Sequence, residues 1–188
     1  MSILVDENTK VLAQGITGKE GSRAAREMLA YGTRVLAGVT PGKGGQITED
    51  GVPVFNSVKE ALAQFPEINT ALIVVPPQFV SAAFAESIEA KIPLIDILTE
   101  KVPVAQAAQM VALARKQGVL VVGPSSVGII SPKKGKIGSI GSSELVHTIF
   151  TPGDVGVISK SGGMTAEISR ILSEAGLCQS TVVGIGGD

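Results

Sequence analysis

Short apolar runs, each cut off by glycine or proline, recur along the chain, and stretches of helical composition fill the gaps between them. Lys10 to Gln14 stops at Gly15, and Arg34 to Val39 stops at Thr40-Pro41-Gly42. Both read as buried strands. Between them, Gly21 to Tyr31 reads as a helix, with Thr17 and Glu20 at capping-box spacing before it and Gly32 to close it. Ser57 and Glu60 repeat that spacing at the head of a second helix, Ser57 to Phe65. Ala71 to Val75 is the next strand. Pro76-Pro77 follows, and a helix from Phe79 to Ala90 whose flanking prolines suit a first turn. Ile92 to Leu98 is another strand, and Pro103 opens a helix with Val104, Ala107, Met110, Val111 and Ala114 on one face, ended by Gly118. Val119 to Val122 then runs into Gly123-Pro124. This alternation predicts an α/β fold with a Rossmann-like, doubly wound parallel sheet.

After Gly128 the periodicity loosens. Pro132, Lys133, Lys134, Gly135, Gly138 and Gly141 read as a linker or extended loop. Alternation resumes with a strand at Val155 to Ser159, a helix from Gly162-Gly163 to about Ala175, and a strand at Ser180 to Gly184. A strand, a helix and a strand make no large sheet alone. Residues 1–130 are therefore expected to form one domain, and 131–188 a linker and the opening part of a second α/β domain, apparently truncated.

Composition narrows the partners. Of 188 residues, 44% are hydrophobic, enough for a substantial core. Sixteen basic and 17 acidic side chains give a net charge of −1 without long runs of either sign, so neither nucleic acid nor an anionic membrane is expected as a partner. The N-terminus reads as a mature start, and no stretch approaches the roughly 20 apolar residues of a membrane span. A single cysteine, Cys178, suits a cytoplasmic protein and a packing role for that side chain. The lone His147 sits in a variable loop and reads as a surface residue.

Gly15, Gly18 and Gly21 follow a strand directly and open a helix. Glycines there permit positive φ and let backbone N–H groups approach a phosphate at the positive end of the helix. The same spacing also serves a tight turn with no ligand. The end of the second strand separates the candidate nucleotides: a dinucleotide fold places a carboxylate there for the ribose diol, whereas this chain has Val39-Thr40-Pro41-Gly42-Lys43-Gly44-Gly45. Lys43 offers a cation to a phosphate on the ribose, as in NADP or coenzyme A. As a solvated surface lysine it would do neither.

The strings QGITGKEG from Gln14, YGTRVLAGVTPGKGG from Tyr31 and GVPVFNSVKEA from Gly51 closely resemble the N-terminal domain of the succinyl-CoA synthetase α-subunit family. The resemblance runs from Met1 to Asp188 and includes VGIGGD at the end. It implies a Rossmann-like CoA-binding domain followed by the first part of a flavodoxin-like ligase domain. It also implies that Thr17, Gly18, Lys19 and Glu20 hold CoA phosphates and that Lys43 approaches the nucleotide end. Val75, Pro76 and Pro77 match the family's proline turn beside CoA, and Leu98, Thr99 and Glu100 match its cofactor-contacting ITE segment. At the second glycine loop, Ser161, Gly162 and Gly163 would aim a helix N-terminus at the catalytic phosphate or phosphohistidine.

By the same resemblance, the complete enzyme is an ADP- or GDP-forming acid–CoA ligase of the tricarboxylic acid cycle. It would work through a phosphohistidine that this chain does not contain, with ATP or GTP and Mg²⁺ bound by an ATP-grasp β subunit. The chain departs from the family at three places. Ser125-Ser126-Val127 stands for Asn-Cys-Pro, Gly163-Met164 stands for Thr-Leu, and the loop from Ser139 to Pro152 is longer. All three resemble ATP-citrate lyase and citryl-CoA synthetase, so citrate or another small carboxylic acid is the alternative substrate to succinate. A non-catalytic CoA-binding module and an NAD(P)-binding regulator are the other readings.

Overall fold

The computed structural model describes residues 2–141 and 145–187. Met1 and Asp188, where the resemblance begins and ends, lie outside the described residues, as do positions 142–144 of the long loop.

Six strands build the first sheet: β1 (Lys10–Gln14), β2 (Arg34–Val39), β3 (Val54–Phe55), β4 (Thr70–Ile73), β5 (Leu94–Ile97) and β6 (Leu120–Val122). Their spatial order is β3-β2-β1-β4-β5-β6 and every pairing is parallel. A parallel sheet is covered on both faces, which is why its strands read as continuous apolar runs. In β1, Leu12 packs with α2 (Val58–Gln64), α3 (Val80–Glu89) and α4 (Val104–Gln117), while Val11 and Ala13 face the side of α1 (Lys19–Tyr31). Gly32 (φ +96°) and Gly118 (φ +71°) end α1 and α4 in the left-handed conformation expected of them.

Local expectations hold unevenly. Ser57 caps α2 by accepting from the Glu60 N–H, and the Glu60 carboxylate reaches back to the Asn56 N–H. Thr17 and Glu20 do not cap α1. The helix starts at Lys19 with Gly18 as its N-cap, so Thr17 stands one residue too early and donates instead to the Thr40 hydroxyl at 3.1 Å. A 3₁₀ turn over Pro77–Phe79 precedes α3. On α4, Met110 and Ala114 are buried as the pattern implies, but Val104, the first residue of the helix, is 79% exposed.

The expected linker after Gly128 is a β-hairpin. Strands β7 (Gly128–Ser131) and β8 (Gly135–Gly138) pair antiparallel around the Pro132-Lys133-Lys134 turn. A helix α5 (Val146–Ile149), then β9 (Pro152–Ser159), α6 (Gly162–Glu174) and β10 (Gln179–Gly184) follow, and the second sheet has the order β8-β7-β10-β9. The strand–helix–strand unit therefore joins a four-stranded sheet by borrowing the hairpin. No alternation marks β7 and β8 because both strands are buried on both faces.

The second sheet leans on α1. Ile129, Ile137 and Val183 share a core with Ala24, Ala25 and Met28 of that helix. Lys136 of β8 is 1% exposed, and its ammonium donates to the Gly141 carbonyl at 2.9 Å and lies 3.4 Å from Glu27 of α1. Burial pushes that ammonium below its usual pKa, with Glu27 opposing. The Lys136 backbone also brackets the Thr33 hydroxyl at the end of the helix. Lys136→Ala is expected to cost about 2–4 kcal/mol in urea unfolding, through a cavity and an orphaned Glu27, whereas Lys136→Met, which orphans Glu27 but fills the cavity, costs about 1–2 kcal/mol less. Equal losses in the two variants would contradict a packing role for the lysine stem.

Candidate functional site

Beyond β1 and β4 the chain leaves the sheet in opposite directions, to α1 on one face and to α3 on the other. Such a reversal opens a crevice at the strand ends, the place where open α/β sheets receive ligands. Glycine shapes its floor. A Cβ on Gly15, at φ +85°, would meet the Val74 carbonyl oxygen at 2.2 Å, and one on Gly21 would meet the Gly15 carbonyl oxygen at 2.2 Å. The turn is therefore pressed against the extension of β4, and the head of α1 is pressed against the turn. Gly18 supplies no side-chain cap. The first-turn N–H groups of α1 have no acceptor within the helix, so they are available to an anion.

Two cavities meet at this helix end and share Gly18, Val74, Val75 and Pro76 as a common wall. The outer one, about 460 Å³, is enclosed by Gln14, Thr17, Thr40, Pro41, Phe79 and Glu86. The inner one, about 630 Å³, is lined by Lys19, Glu20, Leu98, Thr99, Glu100 and Ser126, with Arg23, Val127 and Ser139 alongside. Thr99 joins the two rims, donating its hydroxyl to the Val75 carbonyl at 2.7 Å and accepting the Ser125 N–H at its own carbonyl at 3.0 Å. The side chain of Gln14, nearly fully buried, donates to the Ala83 carbonyl and accepts from Ser87, fixing α3 against β1 under the outer cavity.

The residues singled out in the sequence fall into three groups. Thr17, Gly18, Lys19, Glu20, Val75, Pro76, Leu98, Thr99 and Glu100 all border one cavity or both. Pro77 borders neither and starts the 3₁₀ turn. Lys43 stands exposed on the loop directly after Thr40 and Pro41, outside the lining, and the Asn56 side chain holds that loop through the Gly42 and Gly44 N–H groups at 3.0 Å each.

Ser161 caps α6 by accepting the Met164 N–H, so this helix end is closed by its own side chain. Ser161, Gly162 and Gly163 line neither cavity, yet Gly162 is separated from the inner one by a single side chain: a Cβ there would meet Val127 Cγ1 at 2.6 Å. Gln14, Phe79, Glu86, Arg23 and Val127 were not singled out as site residues. In the sequence Gln14 ends the first strand, Phe79 opens a helix and Val127 belongs to the departing Ser125-Ser126-Val127 segment. His147 is exposed on α5 and stacks on Tyr31 with ring centroids 5.1 Å apart.

One buried group stands out beneath the inner cavity. Asp96 of β5 is 0% exposed and neither carboxyl oxygen has a hydrogen-bond partner. Burial pushes its pKa up to about 7, while the nearby Ser126 hydroxyl pulls the other way. Among the described residues, no cluster of His, Cys, Asp and Glu suits a metal ion, and no helix is long and apolar enough to cross a membrane.

Residues 6–101 match the model of the CoA binding domain family. The chain is 48% identical over 186 residues to the α subunit of the ADP-forming succinate–CoA ligase of Methanothermobacter thermautotrophicus, covering 99% of this chain and 61% of that subunit. It is 43% identical to the malate–CoA ligase α subunit of Methylorubrum extorquens, covering 100% of this chain and 62% of that one. Among solved structures, ATP citrate lyase of Methanothrix soehngenii in complex with citrate and coenzyme A superposes with a TM-score of 0.87 at 27% identity, over 99% of this chain and 32% of the lyase. The chain thus spans about three-fifths of the length of the curated relatives it matches.

Proposed function

The chain belongs to the CoA-binding domain family, and on that premise we propose that it is the CoA-binding part of the α subunit of an NDP-forming acid–CoA ligase, with succinate as the acid. The observation that carries the proposal is the crevice between β1 and β4, where a helix end left open by Gly18 lies between two adjoining cavities. CoA is an elongated molecule with an adenine, a cluster of phosphates and a thiol arm. The first-turn N–H groups of Lys19, Glu20 and Gly21 suit the phosphates. The apolar rim of Pro41, Val75 and Phe79 suits the base, and the inner cavity beside Leu98 to Glu100 suits the thiol arm. CoA would supply the thiol that accepts the acyl group.

In this reading the chain's own residues bind, orient and shield. Gly15 and Gly21 let the backbone close on the phosphates, Thr99 fixes the spacing of the two rims, and Val127 stands between the thiol arm and the second glycine loop. Ser161, Gly162 and Gly163 would serve the phosphate-transfer end. The phosphohistidine that the family resemblance implies would come from outside these residues, and the nucleotide, ATP or GTP with Mg²⁺, would enter on an ATP-grasp β subunit in a cytoplasmic complex. The decisive assay measures thioester formation by the complex with its β partner, offering CoA, ATP or GTP and a panel of succinate, malate and citrate. Turnover of succinate above the others supports the proposal, and no turnover of any acid rejects the ligase reading.

Citrate is the second reading, favoured by the Ser125-Ser126-Val127 segment, whose Ser126 and Val127 line the inner cavity, and by the likeness to a citrate lyase. A preference for citrate in the same panel would select it. Lys43→Glu is expected to weaken CoA binding about ten-fold in titration calorimetry, and by less at high salt, since an exposed charge acts across solvent. An unchanged affinity would remove Lys43 from the CoA site.

A further inference from the structure

Asp96 takes no part in the function above, and its situation calls for a reason: an ionisable side chain wholly out of water, both oxygens unpartnered, on a strand that otherwise carries only leucine and isoleucine. Its neighbour Ser126 is the most heavily bonded residue of the turn that follows β6. The Ser126 N–H donates to the Ile97 carbonyl at 3.1 Å. The Ser126 hydroxyl donates to the Gly184 carbonyl at the end of β10, at 2.8 Å, and accepts from the Gly128 N–H at the start of β7, at 2.9 Å. One residue thus ties the first sheet, through its N–H, to two strands of the second, through its hydroxyl. That hydroxyl has one hydrogen to give.

We propose that Asp96 is a positioning residue whose protonation sets the direction of the Ser126 hydroxyl and so latches the two sheets together behind the inner cavity. With Asp96 neutral, its O–H can donate to the remaining lone pair of the Ser126 oxygen, and Ser126 keeps its own hydrogen on Gly184. With Asp96 ionised, its proton gone to solvent, the carboxylate is the stronger acceptor and takes the Ser126 hydrogen. The Gly184 carbonyl then loses that short bond and keeps the long Val127 N–H contact at 3.3 Å. That bond matters to the site because a Cβ on Gly184 would meet Val127 Cγ2 at 2.2 Å, and Val127 is the wall between the inner cavity and Gly162. Loosening the end of β10 therefore loosens the wall.

Among the described residues of the packed elements, no other charge competes for the role. The adjacent strands β4, β6, β7 and β10 carry no ionisable side chain. On β8, Lys136 pairs with Glu27 of α1; on α1, Arg23 pairs with Glu20 and Arg26 with Glu49 and Asp50, while Lys19 sits in the exposed first turn. Burial lifts the Asp96 carboxyl towards neutrality, and the Ser126 hydroxyl opposes it.

The test follows the amide resonances of Val127 and Gly128 by NMR between pH 5.5 and 8.5 in the wild-type chain, Asp96→Asn and Ser126→Ala, with CoA titrations at the same pH values. The wild type should show both amides shifting together with a midpoint near 7, and a CoA affinity falling about five-fold over that interval beyond any change in Asp96→Asn, the size of one lost hydrogen bond. In Asp96→Asn both amides should be pH-independent, and in Ser126→Ala the Gly128 amide should be shifted at every pH. Amides that do not titrate in the wild type, or that titrate equally in Asp96→Asn, overturn the latch even if either variant folds poorly. The affinity arm rests on the proposed CoA site: titrating amides without CoA binding in any form would sink that site and leave the latch standing.

Discussion

Gly18→Asp is expected to abolish detectable CoA binding, weakening it at least ~100-fold, while moving the melting temperature by no more than ~3 °C. The two halves of that expectation have separate causes. Gly18 is the N-cap of α1 at φ −80° and ψ 159°, the extended conformation in which an aspartate side chain caps a helix. Capping contributes about 1 kcal/mol. Against it stands a Cβ placed 3.3 Å from the Gly15 carbonyl oxygen, close enough to require a small adjustment. The fold should therefore tolerate the change. The ligand should not, because the new carboxylate would occupy the N–H groups meant for phosphate and repel its charge across a few ångströms. Differential scanning fluorimetry and calorimetric titration on one sample check both halves. Retained CoA affinity would show that the phosphates lie elsewhere.

Asp96→Asn is expected to stabilise the protein by roughly 4 kcal/mol at pH 8 relative to its effect at pH 4, a gap of about 10 °C in melting temperature for a chain of this size. An aspartate in the unfolded chain ionises near pH 4, whereas in the folded protein burial holds the Asp96 proton until about 7. Between those values the unfolded state sheds a proton that the folded state keeps. The stabilising contribution of the neutral acid is therefore complete below pH 4, falls as pH rises to 7, and is constant at its lowest above that. At ~1.4 kcal/mol per pH unit over about three units, the loss approaches 4 kcal/mol. The amide has no such dependence. Of its two N–H hydrogens only one can use the Ser126 oxygen, so the other carries a pH-independent cost of about 1–2 kcal/mol, and the comparison must be made across pH and not at one value. Parallel stability curves for the two proteins would show that Asp96 is not held neutral.

The sequence and the structure agree where one physical rule dominates. Lys10 to Gln14 and Arg34 to Val39 read correctly because burial on both faces leaves an unbroken apolar run, and Gly32 and Gly118 mark helix ends because only glycine takes their left-handed backbone easily. Agreement fails where a tertiary contact overrides the local pattern. Thr17 had the spacing of a cap, but a hydroxyl of β2's end lies within its reach. The hairpin of Gly128 to Gly138 reads as a linker, since its proline and glycines punctuate strands whose burial on a helix and a neighbouring sheet no local window reveals. Of the site, the glycine loop and its facing segments Val75-Pro76 and Leu98 to Glu100 were legible because backbone shape demands those residues or family motifs repeat them. The walls contributed by Gln14, Phe79 and Val127 were not, because an apolar or amide side chain lining a cavity has the same sequence signature as one filling a core.

The absence of a carboxylate at the end of β2 separates CoA from NAD, and CoA binding is the claim on which the proposed function rests. Calorimetric titration of the full chain with CoA and, separately, with NADH measures it directly. One CoA per chain, bound at least ~100-fold more tightly than NADH, is the predicted result. Equal affinities, or tighter binding of NADH, would contradict it.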